Sequence, residues 1–97
     1  MLPIVWLDSA LDDLSRITAY IADINPTAAY RLNERLRDDV DVLRQAQVQF
    51  RSGRVAGTHE FVSHPNFIIV YRRTLIAIEI LNIVHSRQQY PKTTTKV

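Results

Sequence analysis

The run Val84-His85-Ser86-Arg87-Gln88-Gln89-Tyr90-Pro91 holds an imidazole, a guanidinium and a phenol close together in the chain. Histidine titrates near pH 6.5, and arginine keeps a fixed charge on a planar fork of donors. Such a cluster at the end of a strand suits two tasks. It can form a polar contact surface, or His85 can act as a general acid or base. The plainer alternative is that His85 and Tyr90 finish the strand and pack on the sheet edge. Two acids in the same half, Glu60 and Glu79, each stand between apolar strand residues. The expectation there is structural: each carboxylate pairs with an arginine on a neighbouring strand. Asp12/Asp13 and Asp38/Asp39 fall in helical stretches and read as solvated faces.

Other chemistries find little support. The only glycines are Gly53 and Gly57, so a glycine-rich phosphate loop is excluded. There is no cysteine, which removes disulfides and thiolate zinc sites. His59, His64 and His85 follow no metal-ligand spacing, so neither a metal nor another cofactor is expected. No serine lies in a nucleophile-elbow context.

Charge is uneven along the chain. Residues 1–50 carry five Arg against eight Asp and Glu, a net of −3, and residues 51–97 carry five Arg and two Lys against two Glu, a net of +5. The second half should attract an anionic partner, either nucleic acid or an acidic protein. A merely basic surface is the alternative.

The elements that must position these residues can be read from periodicity. Ile4 to Leu7 is a short β-branched and aromatic strand after Pro3. Apolar residues at 10, 14, 17, 21 and 24 step as one helical face. That predicts a helix over 9–23, capped by Ser9 or Asp8 with Asp12 and Asp13 in its first turn. Asn25 then caps a second helix with Pro26 at its first position. Its buried stripe is Ala29, Leu32, Leu36, Val40 and Leu43, and it ends near 45–47. Arg35–Asp39 and Arg37–Asp41 have the spacing of ion pairs on its outer face. The residues from 50 to 53 read as a loop, 55–62 as a strand, 63–66 as a turn, 67–71 as a buried strand and 75–85 as a long central strand. The result is an α+β two-layer sandwich of βααβββ order, with a helical hairpin on one face of a small, largely antiparallel sheet.

Ninety-seven residues allow one core. Residues 1–91 are expected to form a single domain, with 92–97 as a flexible tail. The apolar stretch Leu75 to Val84 is broken by Glu79 and Asn82, and it is far shorter than the roughly 20 residues that span a bilayer. The first residues have no basic group before their apolar run, so they do not read as a secretory signal. A soluble, cytoplasmic protein without membrane contact is expected.

Several strings resemble a known family. Gly53-Arg54-Val55-Ala56-Gly57-Thr58-His59-Glu60, His64-Pro65-Asn66-Phe67-Ile68-Ile69-Val70-Tyr71-Arg72, Ile78-Glu79-Ile80-Leu81 and Val84-His85-Ser86-Arg87 are similar to the ParE branch of the RelE/ParE toxin superfamily. Trp6 and the Asn25-Pro26 helix break fit the same pattern, and the match runs over about residues 4–91. The resemblance implies a toxin of a type II toxin–antitoxin system, neutralised by a cognate antitoxin whose contact segment should be acidic. RelE-type members cleave mRNA on the ribosome, whereas ParE-type members inhibit DNA gyrase.

Three departures from the RelE-type pattern favour the second activity. Ile68 stands where the resemblance implies arginine in the RelE-type strand. Ser86 holds the position of a basic residue, with Arg87 one step later. The strand Thr58-His59-Glu60-Phe61-Val62 offers one histidine and one acid in place of further cations. Losing cations that stabilise a phosphorane should cost several kcal/mol in the transition state. Tyr90, five residues after His85, matches the RelE-type spacing and points the other way. His59 replaces the arginine usual in ParE-like chains, so no fixed charge sits there. The expected target and antitoxin contacts are Arg54, His59, Arg72, His85, Arg87 and Tyr90. A ribonuclease would use His85, Arg87 and Tyr90. A non-toxic module docking an acidic partner is a further alternative, and direct nucleic-acid binding is left open.

Overall fold

A computed structural model describes residues 2–45, 50–64, 66–87 and 90. The expected tail, 92–97, lies outside the described residues. The second helix stops at Val42, short of the predicted end near 45–47, because the Leu43, Arg44 and Gln45 N–H groups donate to the carbonyls three residues back and tighten the chain into turns. The elements are β1 (Ile4–Trp6), α1 (Asp8–Ala22), α2 (Pro26–Val42), β2 (Arg51–Ser52), β3 (His59–His64), β4 (Phe67–Arg73) and β5 (Ile78–His85). The sheet order is β1-β5-β4-β3-β2. β1 runs parallel to β5, and the other pairings are antiparallel. The predicted α+β sandwich and its element order are present, with β2 as an additional two-residue strand in the stretch read as a loop.

The helical hairpin packs on one sheet face. Ala10 and Leu14 of α1 meet Leu36 and Val40 of α2 and Leu43 just beyond it, over Phe67, Ile69, Tyr71, Ile78, Ile80 and Ile83. Fully burying a side chain of this size is worth about 1.5–3 kcal/mol, so this layer dominates the stability of the fold. Both predicted stripes face this layer. Ile24 is the exception: α1 stops at Ala22, so Ile24 leaves the stripe and is 75% exposed. Asn25 caps α2 as expected, its Oδ1 accepting from the Ala28 N–H at 3.1 Å.

α1 begins differently from the prediction. Its cap position is Leu7, and neither Asp8 nor Ser9 caps it with a side chain. Ser9 Oγ donates to the Leu81 carbonyl at 2.5 Å, and Asp13 Oδ2 accepts from the Ile83 N–H at 2.9 Å. The cause is the length of β1. It pairs with β5 only over residues 78–80, so the edge of β5 beyond that point has lost its strand partner. The Leu7 N–H still reaches the Ile80 carbonyl, and Ser9 and Asp13, one helical turn apart, then occupy the next edge groups. Asp13 is therefore not a solvated residue. Asp39 is not one either, since it accepts a hydrogen bond from the buried Ser63 hydroxyl. Arg35–Asp39 forms at 3.9 Å. Arg37 instead donates to Asn33 Oδ1 and lies over the Trp6 ring, while Asp41 pairs with Arg44.

Several strand boundaries differ from the prediction. β4 runs on to Arg73 instead of stopping at 71, because Arg72 and Arg73 pair with Glu79 and Ile78 of β5. The predicted start of β3 at 55 becomes a closed turn: the Gly53 N–H donates to the Thr58 carbonyl at 2.8 Å, and Gly57 takes a positive φ of 81°. A Cβ at Gly53 would sit 2.1 Å from Thr58 Oγ1, so only glycine permits this approach. β3 extends instead to His64, with an irregular register between Val62 and His64. β5 starts at Ile78, not 75, because Thr74 Oγ1 accepts from the Ile76 and Ala77 N–H groups and captures a turn. Leu75 and Ile76 are left in solvent, 98% and 79% exposed.

Candidate functional site

Strand alternation sorts the expected contact residues onto two faces. On β4, Phe67, Ile69 and Tyr71 face the helices, while Ile68, Val70 and Arg72 face the open side. Registry carries the pattern across: His85 lies opposite Phe67, His59 opposite Tyr71, and Glu79 opposite Arg72.

His59 and His85 therefore belong to the helical side. The His59 ring stacks on Tyr71 with centroids 5.5 Å apart, and its Nδ1 has no hydrogen-bond partner among the described residues. The His85 ring meets Phe67 edge-on at 5.5 Å, and its Nδ1 accepts from the Arg87 N–H at 3.1 Å. An accepting Nδ1 leaves Nε2 to carry the proton of the neutral ring. His85 also lines a mostly apolar groove of about 410 Å³ with Arg16, Ile17, Tyr20, Ile21 and Phe67.

Arg54, Arg72 and Tyr90 occupy the open side. Glu60, only 3% exposed, is the anchor there. Its Oε1 accepts from Arg51 Nη2 at 2.9 Å, and its Oε2 accepts from the Arg54 N–H at 3.0 Å, with Arg54 Nε at 3.6 Å. Glu79 takes two donors of Arg72, at 2.9 and 2.5 Å. Both strand acids are thus paired with arginines, as expected. The pairing also spends much of the basic excess of the second half inside the molecule. Arg51, Arg54 and Arg72 face carboxylates, whereas the exposed Arg87 guanidinium has no ion-pair partner among the described residues.

Tyr90 packs against the small open-side cluster of Ile68, Val70, Val84 and Leu81. Its hydroxyl donates to Asn82 Oδ1 at 3.4 Å, and its carbonyl accepts from Arg54 Nη1 at 3.3 Å. Burial raises the phenol's pKa above its ordinary value. The carboxylates of Glu60 and Asp13 add to that rise, and Arg54 opposes it. His85 and Tyr90 are therefore on opposite faces of the sheet. The structure joins Arg54 to Tyr90 and His85 to the Arg87 backbone, but it does not bring the imidazole and the phenol together.

Sequence reasoning missed Arg51, Asp13 and Asn82. Arg51 sits in a strand of two residues, too short to show alternation. Asn82 read as an interruption of an apolar strand. It lies at a shift in the β4–β5 register, donates to Asp13 Oδ2 and accepts from Tyr90. Among the described residues no group of His, Cys, Asp and Glu side chains converges to hold a metal ion, and no helix is long and apolar enough to cross a membrane.

A two-helix hairpin laid on a mixed five-stranded sheet defines a class of small α+β proteins with solved members. One, described as the chromosomal ParDE TA system from P. aeruginosa, superposes with a TM-score of 0.80 at 25% identity, covering 88% of this chain and 96% of that one. Another, the solution structure of the conserved hypothetical protein HP0894 from Helicobacter pylori, shares the fold with a TM-score of 0.60 at 16% identity, covering 91% and 98%. "Putative toxin Y4kP" of Sinorhizobium fredii is 38% identical over 88 residues, 90% of this chain and 91% of its own. Residues 4–90 match the family described as the ParE toxin of the type II toxin–antitoxin system parDE, and the chain belongs to that family.

Proposed function

We propose that this ParE-family toxin inhibits DNA gyrase, and so replication, by protein–protein contact in the cytoplasm, and that a cognate antitoxin with an acidic contact segment neutralises it. The observation that carries the contact reading is the separation of His85 from Tyr90 across the sheet. A ribonuclease built on His85, Arg87 and Tyr90 needs its acid and base within reach of one scissile phosphate. Here the phenol is engaged by Asn82 and the Tyr90 backbone carbonyl by Arg54, while the imidazole lines the groove beside α1 on the opposite face, against Phe67. The direction of the Tyr90 shift adds to this. An acid–base catalyst near neutral pH gains from a pKa brought toward 7, and this phenol moves away from it.

Within the contact surface, Arg87 is the leading anchor. It is exposed at the end of β5, and its fork is not used inside the described part of the fold. Arg54 and Arg72 present guanidiniums whose charge is already met by Glu60 and Glu79, so they contribute shape and hydrogen bonding more than net charge. The test is a translating extract supplied with a reporter mRNA and the purified toxin. The contact reading expects the message to stay intact. Site-specific cleavage that depends on the ribosome and disappears in Tyr90→Phe would overturn it.

A further inference from the structure

A polar thread passes from one face of the sheet to the other around the open edge of β5, beside its irregular point. On the helical side, Arg16 lines the groove beside His85 and is paired with Asp13. Asp13 Oδ2 accepts from both the Ile83 N–H and Asn82 Nδ2, each at 2.9 Å. On the open side, Asn82 Oδ1 accepts from the Tyr90 hydroxyl. The register shift between Val70 and Tyr71 of β4, opposite Asn82 and Ile80 of β5, is what frees Asn82 from strict alternation and lets its amide serve both faces. The two ends of a carboxamide are chemically opposite. A carboxylate on one side holds the NH₂ end, which aims the carbonyl end at the phenol.

We propose that Asp13 and Asn82 form a cross-sheet lock. The placement of α1 sets the orientation of Asn82, and Asn82 sets whether Tyr90 docks on the open face. Tyr90 is the two-state element: docked on Ile68, Val70, Val84 and Leu81, or released together with the hydrogen bond from Arg54 to its carbonyl. A partner that shifts α1, or draws Arg16 away from Asp13, then loosens Tyr90 on the far side of the sheet. By linkage, releasing Tyr90 loosens the Asp13 contact to the same extent. The inference does not depend on which target the toxin has.

Reciprocity supplies a test with a mild variant. Tyr90→Phe keeps the ring and deletes only the hydroxyl. In the full-length chain, amide hydrogen exchange at Ile83 should quicken about five-fold, the equilibrium change expected from one hydrogen bond. Exchange at Ile69, in the centre of β4, should not change. In the other direction, Asp13→Ala in fluorotyrosine-labelled protein should move the Tyr90 fluorine signal toward that of the exposed Tyr20, with the buried Tyr71 signal unmoved. An Ile83 amide that exchanges at the same rate in Tyr90→Phe as in the parent overturns the lock. That outcome decides alone if a shifted Tyr71 signal shows Asp13→Ala to be misfolded.

Discussion

Replacing Glu60 with alanine should destabilise the fold by about 2 kcal/mol, and the structure shows where that figure arises. The carboxylate is 3% exposed and meets three donors: Arg51 Nη2, the Arg54 N–H and Arg54 Nε. The two guanidiniums belong to side chains that are 55% and 40% exposed, so water replaces the lost carboxylate and each ion pair is worth less than about 1 kcal/mol. The backbone N–H loses a charged acceptor, which costs about 1.5–3 kcal/mol. Relief from burying a carboxylate offsets part of the total. For a domain of this size, about 2 kcal/mol lowers the melting temperature by roughly 8–16 °C. Glu60→Gln keeps an acceptor for the Arg54 N–H and should lose about half as much. Urea denaturation at pH 7 of the three proteins measures both values. A Glu60→Ala variant within about 0.5 kcal/mol of the parent would refute the reasoning, because Glu60 would then not be holding β2 and the following turn to β3.

Further outcomes are expected. Tyr90→Phe should leave growth inhibition nearly intact and Arg87→Ala should reduce it, at matched expression, because truncating an arginine anchor typically costs about 2 kcal/mol or more. Stability should fall as pH rises above about 10. The folded-state pKa of Tyr90 is raised, so the unfolded chain gives up that proton first and ionisation favours unfolding. Tyr90→Phe should flatten that alkaline loss in urea titrations at pH 8 and 10.5, and an unchanged slope would contradict the assignment. Induction without antitoxin should arrest growth, read as colony counts and cell length. Association with an acidic antitoxin should slow as salt rises, and an on-rate independent of ionic strength would remove the electrostatic part of the proposal.

Much of the scaffold was readable from local pattern. The stripes Ala10-Leu14-Ile17 and Leu36-Val40-Leu43 repeat at helical spacing, and the Asn25-Pro26 cap is a contiguous signal, so both helices follow from neighbours in the chain. Glu60 and Glu79 were also legible, because an acid between apolar strand residues needs a cation beside it. What was not legible depends on distant partners. Ser9 and Asp13 look like an ordinary first turn until β1 stops short and leaves the edge of β5 open about seventy residues further along the chain. The Thr74 turn overrode the apolar pattern of Leu75 and Ile76, since its hydroxyl accepts from the Ile76 and Ala77 N–H groups and donates to the Ala77 carbonyl, fixing the reversal locally. The opposite placement of His85 and Tyr90 was hidden for another reason: period-two alternation ends with β5 at His85, so nothing in the spacing shows to which face the chain returns.

The central claim is that this toxin works by gripping a protein target, and it is tested most directly by adding the purified chain to DNA gyrase in a plasmid supercoiling reaction. The account predicts dose-dependent loss of supercoiling that Tyr90→Phe retains and Arg87→Ala weakens several-fold. Full supercoiling at toxin concentrations well above that of the enzyme, from protein that arrests growth in cells, would contradict it.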